Sequence, residues 1–396
     1  MKKKKILFIT GEFIPYTRSV GGAIRVISFL KTLKNYNLSL ISVKKNFYGY
    51  FGFKSYLRDV NKIYLNSEKF EKSKWYAYLL SFIKLFFGNF LYIVGIDNNY
   101  LNLAKYKIKL DYLLKYEKPE YIIISAPPFS LLKLVTKIRK ADKNAKIILD
   151  YRDGWTFRVK SIYLKIFTFF SNKYEKYILN HCDYILCATV EIYNDISKIV
   201  DKKKTILLKN GFFKQNKKKI IKKQNKKINI GYFGLISDSP FGYRDINVLY
   251  DAVSSLNKLN FTFYGNSSIK KNYILNFKSF NFLNNISYFK TLEKMKKFDY
   301  LLILHTEKST AKEVITGKFY EYLNSNTPMI MISNGETEAG KLIKKHNLGY
   351  VLDYSKHNLK DFFEKINIKK FKHKKIKALK NFSRVEQNKK LLNIIK

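Results

Sequence analysis

The chain has 396 residues, 46% of them hydrophobic, and a formal net charge of +46. That length exceeds what one hydrophobic core supports and calls for two domains of about 150 to 200 residues each; the apolar content excludes disorder of the chain as a whole. The charge alone would fit a nucleic-acid partner, but only eight of the 76 basic residues are arginine and the lysines are dispersed among Asn, Ile, Tyr and Phe. A biased composition explains them as well as a binding surface does, and where the charge has a role an anionic membrane fits it better than nucleic acid.

In chain order, Met1 to Lys5 is basic, but the apolar run after it, Ile6 to Thr10, stops at Gly11 and Glu12. It is a first strand and too short for the apolar region of a signal peptide. A helix is expected over Gly22 to Lys34, where Ile24, Ile27, Leu30 and Leu33 recur at helical spacing, then a strand over Leu38 to Val43. Trp75–Ile96 approaches the length of a membrane span, yet Lys84 and the density of Phe, Tyr and Trp suit an interfacial helix better, with a buried core or lid helix as the alternative. Strands follow at Tyr121 to Ser125, Lys146 to Tyr151 and Tyr184 to Thr189, with a helix over Phe129 to Lys140. Cys182 and Cys187 have only His181 nearby, too few ligands for zinc, and are expected as buried small hydrophobes in a reducing compartment.

The basic tract Lys214 to Lys227 holds little that could pack and marks a linker. A second α/β series follows: strand Ile228 to Phe233, helix Ile246 to Leu259, strands Asn260 to Tyr264 and Tyr300 to Leu304, helix Val314 to Asn324, strand Met329 to Ile332, and a helix from Glu338. The domains are therefore 1–212, with a return of 378–396, the linker 213–227, and 228–377. The fold class is α/β, two Rossmann-like doubly wound parallel-sheet domains facing across a cleft, where ligands of such sheets bind.

Four groups of residues are candidates for that cleft. Gly21 and Gly22 lie between the first strand and first helix, with Arg25 in the first turn; a phosphate could approach there, or the pair is an ordinary turn. Asp150, Arg152 and Asp153 follow a buried strand, so they pair with one another or face a ligand. The third group runs from Gly231-Tyr-Phe-Gly234 to Arg244 and Asp245. The fourth is Glu313-Val-Ile-Thr-Gly-Lys318-Phe-Tyr-Glu321, whose carboxylates, eight apart, suit sugar and ribose hydroxyls. Beyond the next strand, the helix start at Thr337, Glu338 and Ala339 offers amides to a second phosphate.

The order of these pieces resembles glycosyltransferase family 4. The matching elements are the paired glycines, Ser125 to Phe129 (SAPPF), DYRDGW, Asn210-Gly211-Phe212, GYFG with Arg244-Asp245, and EVITGKFYEYL with Thr327-Pro328, from about residue 5 to 355. The resemblance implies the two-domain GT-B fold and retaining transfer from a nucleotide-diphosphate sugar to a glycan or lipid-linked acceptor, in envelope polysaccharide or glycolipid synthesis. It implies Glu321 on the ribose, Glu313 on the transferred sugar, Gly21 and Gly22 near the donor phosphates, and Arg244 with Lys318 in place of the family's usual GR…EKG charges. Asp153 would orient the acceptor hydroxyl, and domain closure would complete the site. No metal or other cofactor is expected, and the place is cytoplasmic, peripheral on the inner membrane face through Trp75–Ile96. The fold also serves inverting transferases and nucleotide-sugar epimerases; a nucleic-acid-binding protein is the reading from another class, and no periodic basic face supports it.

Overall fold

A parallel strand covered on both faces has an apolar middle, and β1 (Lys5–Glu12), β4 (Tyr121–Ala126) and β5 (Lys146–Tyr151) carry the runs Ile6 to Ile9, Tyr121 to Ile124 and Ile147 to Leu149. The computed structural model describes residues 3–17, 20–44, 57–67, 91, 94–97, 99–156, 165–213, 227–239, 244–265, 267–306, 315–367 and 377–395. Glu313, most of Trp75–Ile96 and the linker up to residue 226 lie outside these. No helix among the described residues is long and apolar enough to cross a membrane. The chain divides into two compact units, Met1–Lys209 with Asn388–Lys396, and Asn210–Gln387.

In the first unit, β1, β2 (Asn37–Lys44), β3 (Val60–Asn66), β4, β5, β6 (Tyr184–Cys187) and β7 (Thr205–Leu207) form one parallel sheet in the order β3-β2-β1-β4-β5-β6-β7. Ile6 pairs with Leu38 on one side and Tyr121 on the other, so β1 is interior. The helices are α1 (Val20–Thr32), α2 (Leu103–Tyr112, continued by a π-helical turn over Leu113–Glu117), α3 (Lys133–Ala141), α4 (Lys165–Asn180) and α5 (Val190–Ile199). Residues of α2 to α5, among them Tyr106, Leu134, Ile178 and Ile192, share one core with Ile122, Ile124, Ile147 and Leu149 of the sheet. Cys182 and Cys187 are buried and unbridged within it, and burial pushes the Cys182 thiol up to about 12. The final segment returns to this unit, where the Asn388 amide donates to Ser28 O and Thr32 Oγ1.

The second unit contains β8 (Ile228–Phe233), β9 (Ile236–Ser237), α6 (Asn247–Val253), β10 (Leu259–Tyr264), β11 (Ser267–Ser268), α7 (Asn272–Leu275), β12 (Phe280–Leu283), α8 (Tyr288–Met295), β13 (Tyr300–His305), α9 (Gly317–Ser325), β14 (Met329–Ser333), α10 (Glu338–Lys345), β15 (Gly349–Asp353) and α11 (Lys356–Lys365). Its main sheet is parallel, ordered β12-β10-β8-β13-β14-β15, and β9 pairs with β11 in a small ladder. A last helix, α12 (Arg384–Ile394), begins in this unit.

The expected fold class holds: two parallel-sheet α/β units, with seven and six strands in their main sheets. The helix expected over Ile246 to Leu259 instead stops at Val253, because Leu259 is a fully buried first residue of β10, paired with Ile228. Residues Asn210-Gly211-Phe212 are structural in the second unit. Phe212 exchanges backbone hydrogen bonds with Phe382 and Arg384, and a Cβ on Gly211 would come within 2.6 Å of Phe382 O.

Candidate functional site

Open parallel sheets bind ligands outside their carboxyl ends, where the strand order reverses. In the second unit that point lies between β8 and β13. Beyond β8 comes Gly234 at φ +134°, a backbone conformation that favours glycine. Lys318, at the start of α9, lies across it: a Cβ on Gly234 would be 2.5 Å from Lys318 Cε and 2.7 Å from Nζ. The Lys318 ammonium donates to the Tyr232 hydroxyl at 2.6 Å and stands 3.8 Å from the centre of that ring. Tyr232 in turn donates to Leu235 O at 2.6 Å. Burial, and then the neighbouring positive charge of Arg244, hold the Lys318 ammonium well below the usual lysine range. Two cations held together at a strand end suit an anionic ligand, whose negative charge would oppose both effects.

Helix α9 is buried nearly all round, by Phe319, Tyr320, Tyr322 and Leu323, and ends at Asn326 in the left-handed conformation. Its one carboxylate, Glu321, lies one turn after Lys318 and is 93% buried, with 7% of its surface accessible. Oε1 accepts from the Tyr288 hydroxyl at 2.6 Å. Oε2 is enclosed and, among the described residues, has no hydrogen-bond partner. Burial pushes this carboxyl up to about 7, against the opposing pulls of Arg384 and the Tyr288 bond. Arg384 is itself buried, 5.4 Å from the Phe213 ring. A buried acceptor oxygen without a donor is costly, and a hydroxyl-bearing ligand removes that cost.

At α10, Thr337 is buried and its hydroxyl accepts from Gly340 N at 2.8 Å, capping the helix. Its side chain is thus committed to the helix start. Ala339 is buried and Glu338 is half-buried beside it.

In the first unit the strand order reverses between β1 and β4. Gly21 and Gly22 are exposed at the start of α1. Arg152 ties the two sides of this point together: its guanidinium donates to Gly22 O at 2.7 Å, and to Pro127 O and Ala126 O. Asp150 and Arg25 turn inward instead. They form a buried ion pair at 2.7 Å, completed by Ser125 on the carboxylate at 2.8 Å and by Leu208 O on the guanidinium at 2.8 Å. Asp153 alone of the acidic pair in DYRDGW is half-exposed, and among the described residues no hydrogen bond or ion pair holds it. The loop carrying it is anchored by Glu175 of α4, whose buried carboxylate accepts from the Tyr151 hydroxyl and from the hydroxyl and amide of Thr156. Trp155, wholly buried, stacks on Phe129 at 5.5 Å.

Solved structures match this chain over nearly its full length. The OtsA apo structure aligns with a TM-score of 0.65 at 11% identity, covering 99% of each chain. The lipopolysaccharide outer core galactosyltransferase WaaB in its apo form aligns at 0.58 and 15% identity, covering 98% of this chain and 99% of that one. The UDP-GlcNAc 2-epimerase from Methanocaldococcus jannaschii aligns at 0.57 and 13%, covering 99% of each. The chain has the fold of these enzymes. No protein-family model and no curated protein matches the sequence, so the likeness is one of architecture.

Within that architecture, Lys318 and Glu321 share one helical turn, and Arg244 stands close enough to Lys318 to shift it. Glu313 lies outside the described residues. Tyr232 lay in the third candidate group without its contact to Lys318 being foreseen, and two participants were not singled out from sequence: Tyr288 on Glu321, and Glu175 behind the Asp153 loop. Only Glu175 had a readable signal, a carboxylate on the same helical stripe as Ser171 and Ile178. Among the described residues no three His, Cys, Asp or Glu side chains converge as a metal site requires.

Proposed function

We propose that the chain is a glycosyltransferase that binds a nucleotide-diphosphate sugar on its second unit and passes the sugar, with retention, to a glycan or lipid-linked acceptor of an envelope polysaccharide or glycolipid. The observation that carries this reading is the enclosed, partnerless Oε2 of Glu321, one turn from the Lys318 ammonium. An ionised carboxylate accepts two hydroxyls at once, as a ribose diol presents them. Lys318 and Arg244, with amides at the start of α10 around Thr337, Glu338 and Ala339, are assigned to the diphosphate. As the sugar–phosphate bond breaks, negative charge grows on the leaving diphosphate, and fixed cations and amides stabilise it without a resident metal. Glu313 is assigned to the transferred sugar's hydroxyls, Gly21 and Gly22 to the approach of the donor phosphates, and Asp153 to the acceptor hydroxyl. The galactosyltransferase among the similar folds supports the envelope assignment.

The experiment is a thermal-shift panel of nucleotide diphosphates and nucleotide sugars, since a ligand that binds only the folded state at about a hundred times its Kd adds about 2.7 kcal/mol. One nucleotide class should raise the melting temperature of the native chain and not of Glu321→Ala. No shift with any class, or an equal shift in the variant, overturns the donor site. A second reading, nucleotide-sugar epimerase, is favoured by the several UDP-GlcNAc 2-epimerases of similar fold. An epimerase converts the donor with no acceptor present, which nuclear magnetic resonance of the incubated donor detects; a transferase leaves the sugar's configuration intact until acceptor is added.

A further inference from the structure

The helical layer over one face of the first sheet is reversed at α4. An amphipathic helix that merely covers a sheet turns its apolar stripe inward and its polar stripe outward. Helix α4 buries Ser171 and Glu175 beside Ile178 and Leu179. To solvent it presents Phe169, Phe170, Tyr174 and Tyr177, the two phenylalanines with 54% and 63% of their surface accessible. These two rings meet edge to face, 5.7 Å between centroids, and the Lys173 ammonium stands 4.4 Å from the centre of Phe169.

The surface continues across the layer. Tyr174 is close enough to Tyr100 for the two phenols to interact, and Lys133 of α3 lies 4.5 Å from the Tyr100 ring. On α2, Ile108 is 72% exposed, and Tyr112 and Tyr116 follow at four-residue steps with Lys109 and Lys115 against their rings. Helices α2 with its π-helical turn, α3 and α4 together carry eleven lysine or arginine residues against three carboxylates. Glu175 is buried, Asp111 is paired with Lys137 at 2.6 Å, and Glu117 accepts from the Ser39 hydroxyl at 3.1 Å. The layer therefore offers solvent apolar rings ringed by ammonium groups, with a large excess of positive over negative charge on its helices.

We infer that this face docks on a bilayer containing anionic lipids. Exposed contiguous apolar surface marks an interaction site, and the charge selects a negative partner, which disfavours a second copy of this basic chain. Aliphatic Ile108 gains nothing from stacking on nucleobases but gains from hydrocarbon. Phenylalanine and isoleucine enter the acyl boundary, tyrosines sit at headgroup depth, and lysines reach lipid phosphates along their apolar stems. The inference rests on exposure and charge in the first unit and is independent of the donor site.

The test is flotation of the full chain with phosphatidylcholine vesicles, with and without phosphatidylglycerol. The native chain should float only with the anionic vesicles. Phe169→Ser with Phe170→Ser should weaken that at least about tenfold, and Lys173→Ser with Lys176→Ser about fivefold per lysine, with melting temperature unchanged because all four side chains are exposed. The lysine pair reports independently should the phenylalanine pair fail to fold. Unchanged flotation in both pairs overturns the assignment. So does equal flotation of the native chain with purely zwitterionic vesicles. A dimer in sedimentation, or binding of a single-stranded oligonucleotide, that the phenylalanine pair abolishes while flotation persists would assign the face to another partner.

Discussion

Replacing Glu321 by glutamine keeps the shape of the side chain and removes its charge. Burial moves this carboxyl from 4.5 to about 7, a rise of about 2.5 units, or about 3 kcal/mol at about 1.36 kcal/mol per unit. A carboxyl whose folded pKa is raised holds its proton more tightly in the folded than in the unfolded chain. Its contribution is therefore fully favourable below about 4.5, declines as pH rises from about 4.5 to about 7, and is flat above. Glu321→Gln lacks that decline, so its stability relative to the native chain should improve by up to about 3 kcal/mol between pH 4.5 and pH 8. Ligand binding runs the other way. Only the ionised carboxylate accepts two ribose hydroxyls, and with a pKa near 7 its fraction grows from about a tenth at pH 6 to about nine tenths at pH 8. A nucleotide sugar is the right probe, because its diphosphate is a diester with no group titrating in this window. Its affinity for the native chain should rise close to tenfold from pH 6 to pH 8, with about half a proton released per binding event at pH 7, read by calorimetry in two buffers of different ionisation enthalpy. Glu321→Gln should bind more weakly at pH 8 and show no slope. A flat native profile, or glutamine binding like glutamate at pH 8, refutes the reasoning.

Lys318→Met removes a buried charge that Arg244 repels, so the ligand-free chain should melt no lower, while nucleotide-sugar affinity falls at least about tenfold and loses part of its salt dependence. Gly234→Ala adds a Cβ 2.5 Å from Lys318 Cε at a φ of +134°, and should cost about 1 to 3 kcal/mol in chemical denaturation and also lower donor affinity by displacing Lys318. Asp150→Ala leaves Arg25 buried without its counter-charge and should cost about 3 to 5 kcal/mol, seen as a lower melting temperature. Its ligand affinity, measured below that melt, should be unchanged.

Which strands were legible follows from where they lie in the sheets. The nine strands anticipated from sequence, such as β1, β4, β8 and β13, are the interior ones, and burial between two neighbours writes itself as a cluster of apolar residues, continuous in β4 and β13 and alternating in β10. The four missed in the two main sheets, β3, β7, β12 and β15, are the edges. β3 reads VNKIYLN, with exposed residues at positions 61 and 62. With one neighbour and one open side, such a strand needs no continuous apolar run and can carry the lysines and asparagines that discourage edge pairing. The candidate site was legible only in part for a related reason. Lys318 and Glu321 share a helical turn that spacing reveals, whereas Tyr232 and Tyr288 come from elements 86 and 33 positions away from the groups they hold, and no local pattern encodes such a meeting.

The buried carboxylates separate structural from ligand-binding roles by what their oxygens accept. Asp150 receives the Arg25 guanidinium on one oxygen and Ser125 on the other. Glu175 receives Tyr151 on one and Thr156, twice, on the other. Both are complete, and each joins segments of one unit, Asp150 fixing α1 to β5 and Glu175 fixing the loop after β5 to α4. Glu321 is also buried, though less deeply, and half-complete: Tyr288 satisfies Oε1, and among the described residues Oε2 faces no donor. An unmade hydrogen bond of this kind costs about 1 to 3 kcal/mol, more for a charge; burial pushes Glu321 toward 7 and raises the satisfied Glu175 as well, so it is the open oxygen and not the shift that sets Glu321 apart. A hydroxyl donated to Oε2 therefore stabilises the ionised form and lowers the pKa at once. The same physics that identifies Glu321 as the ligand's carboxylate makes proton release its signature, whereas Asp150 and Glu175, already satisfied, have no such bond left to form.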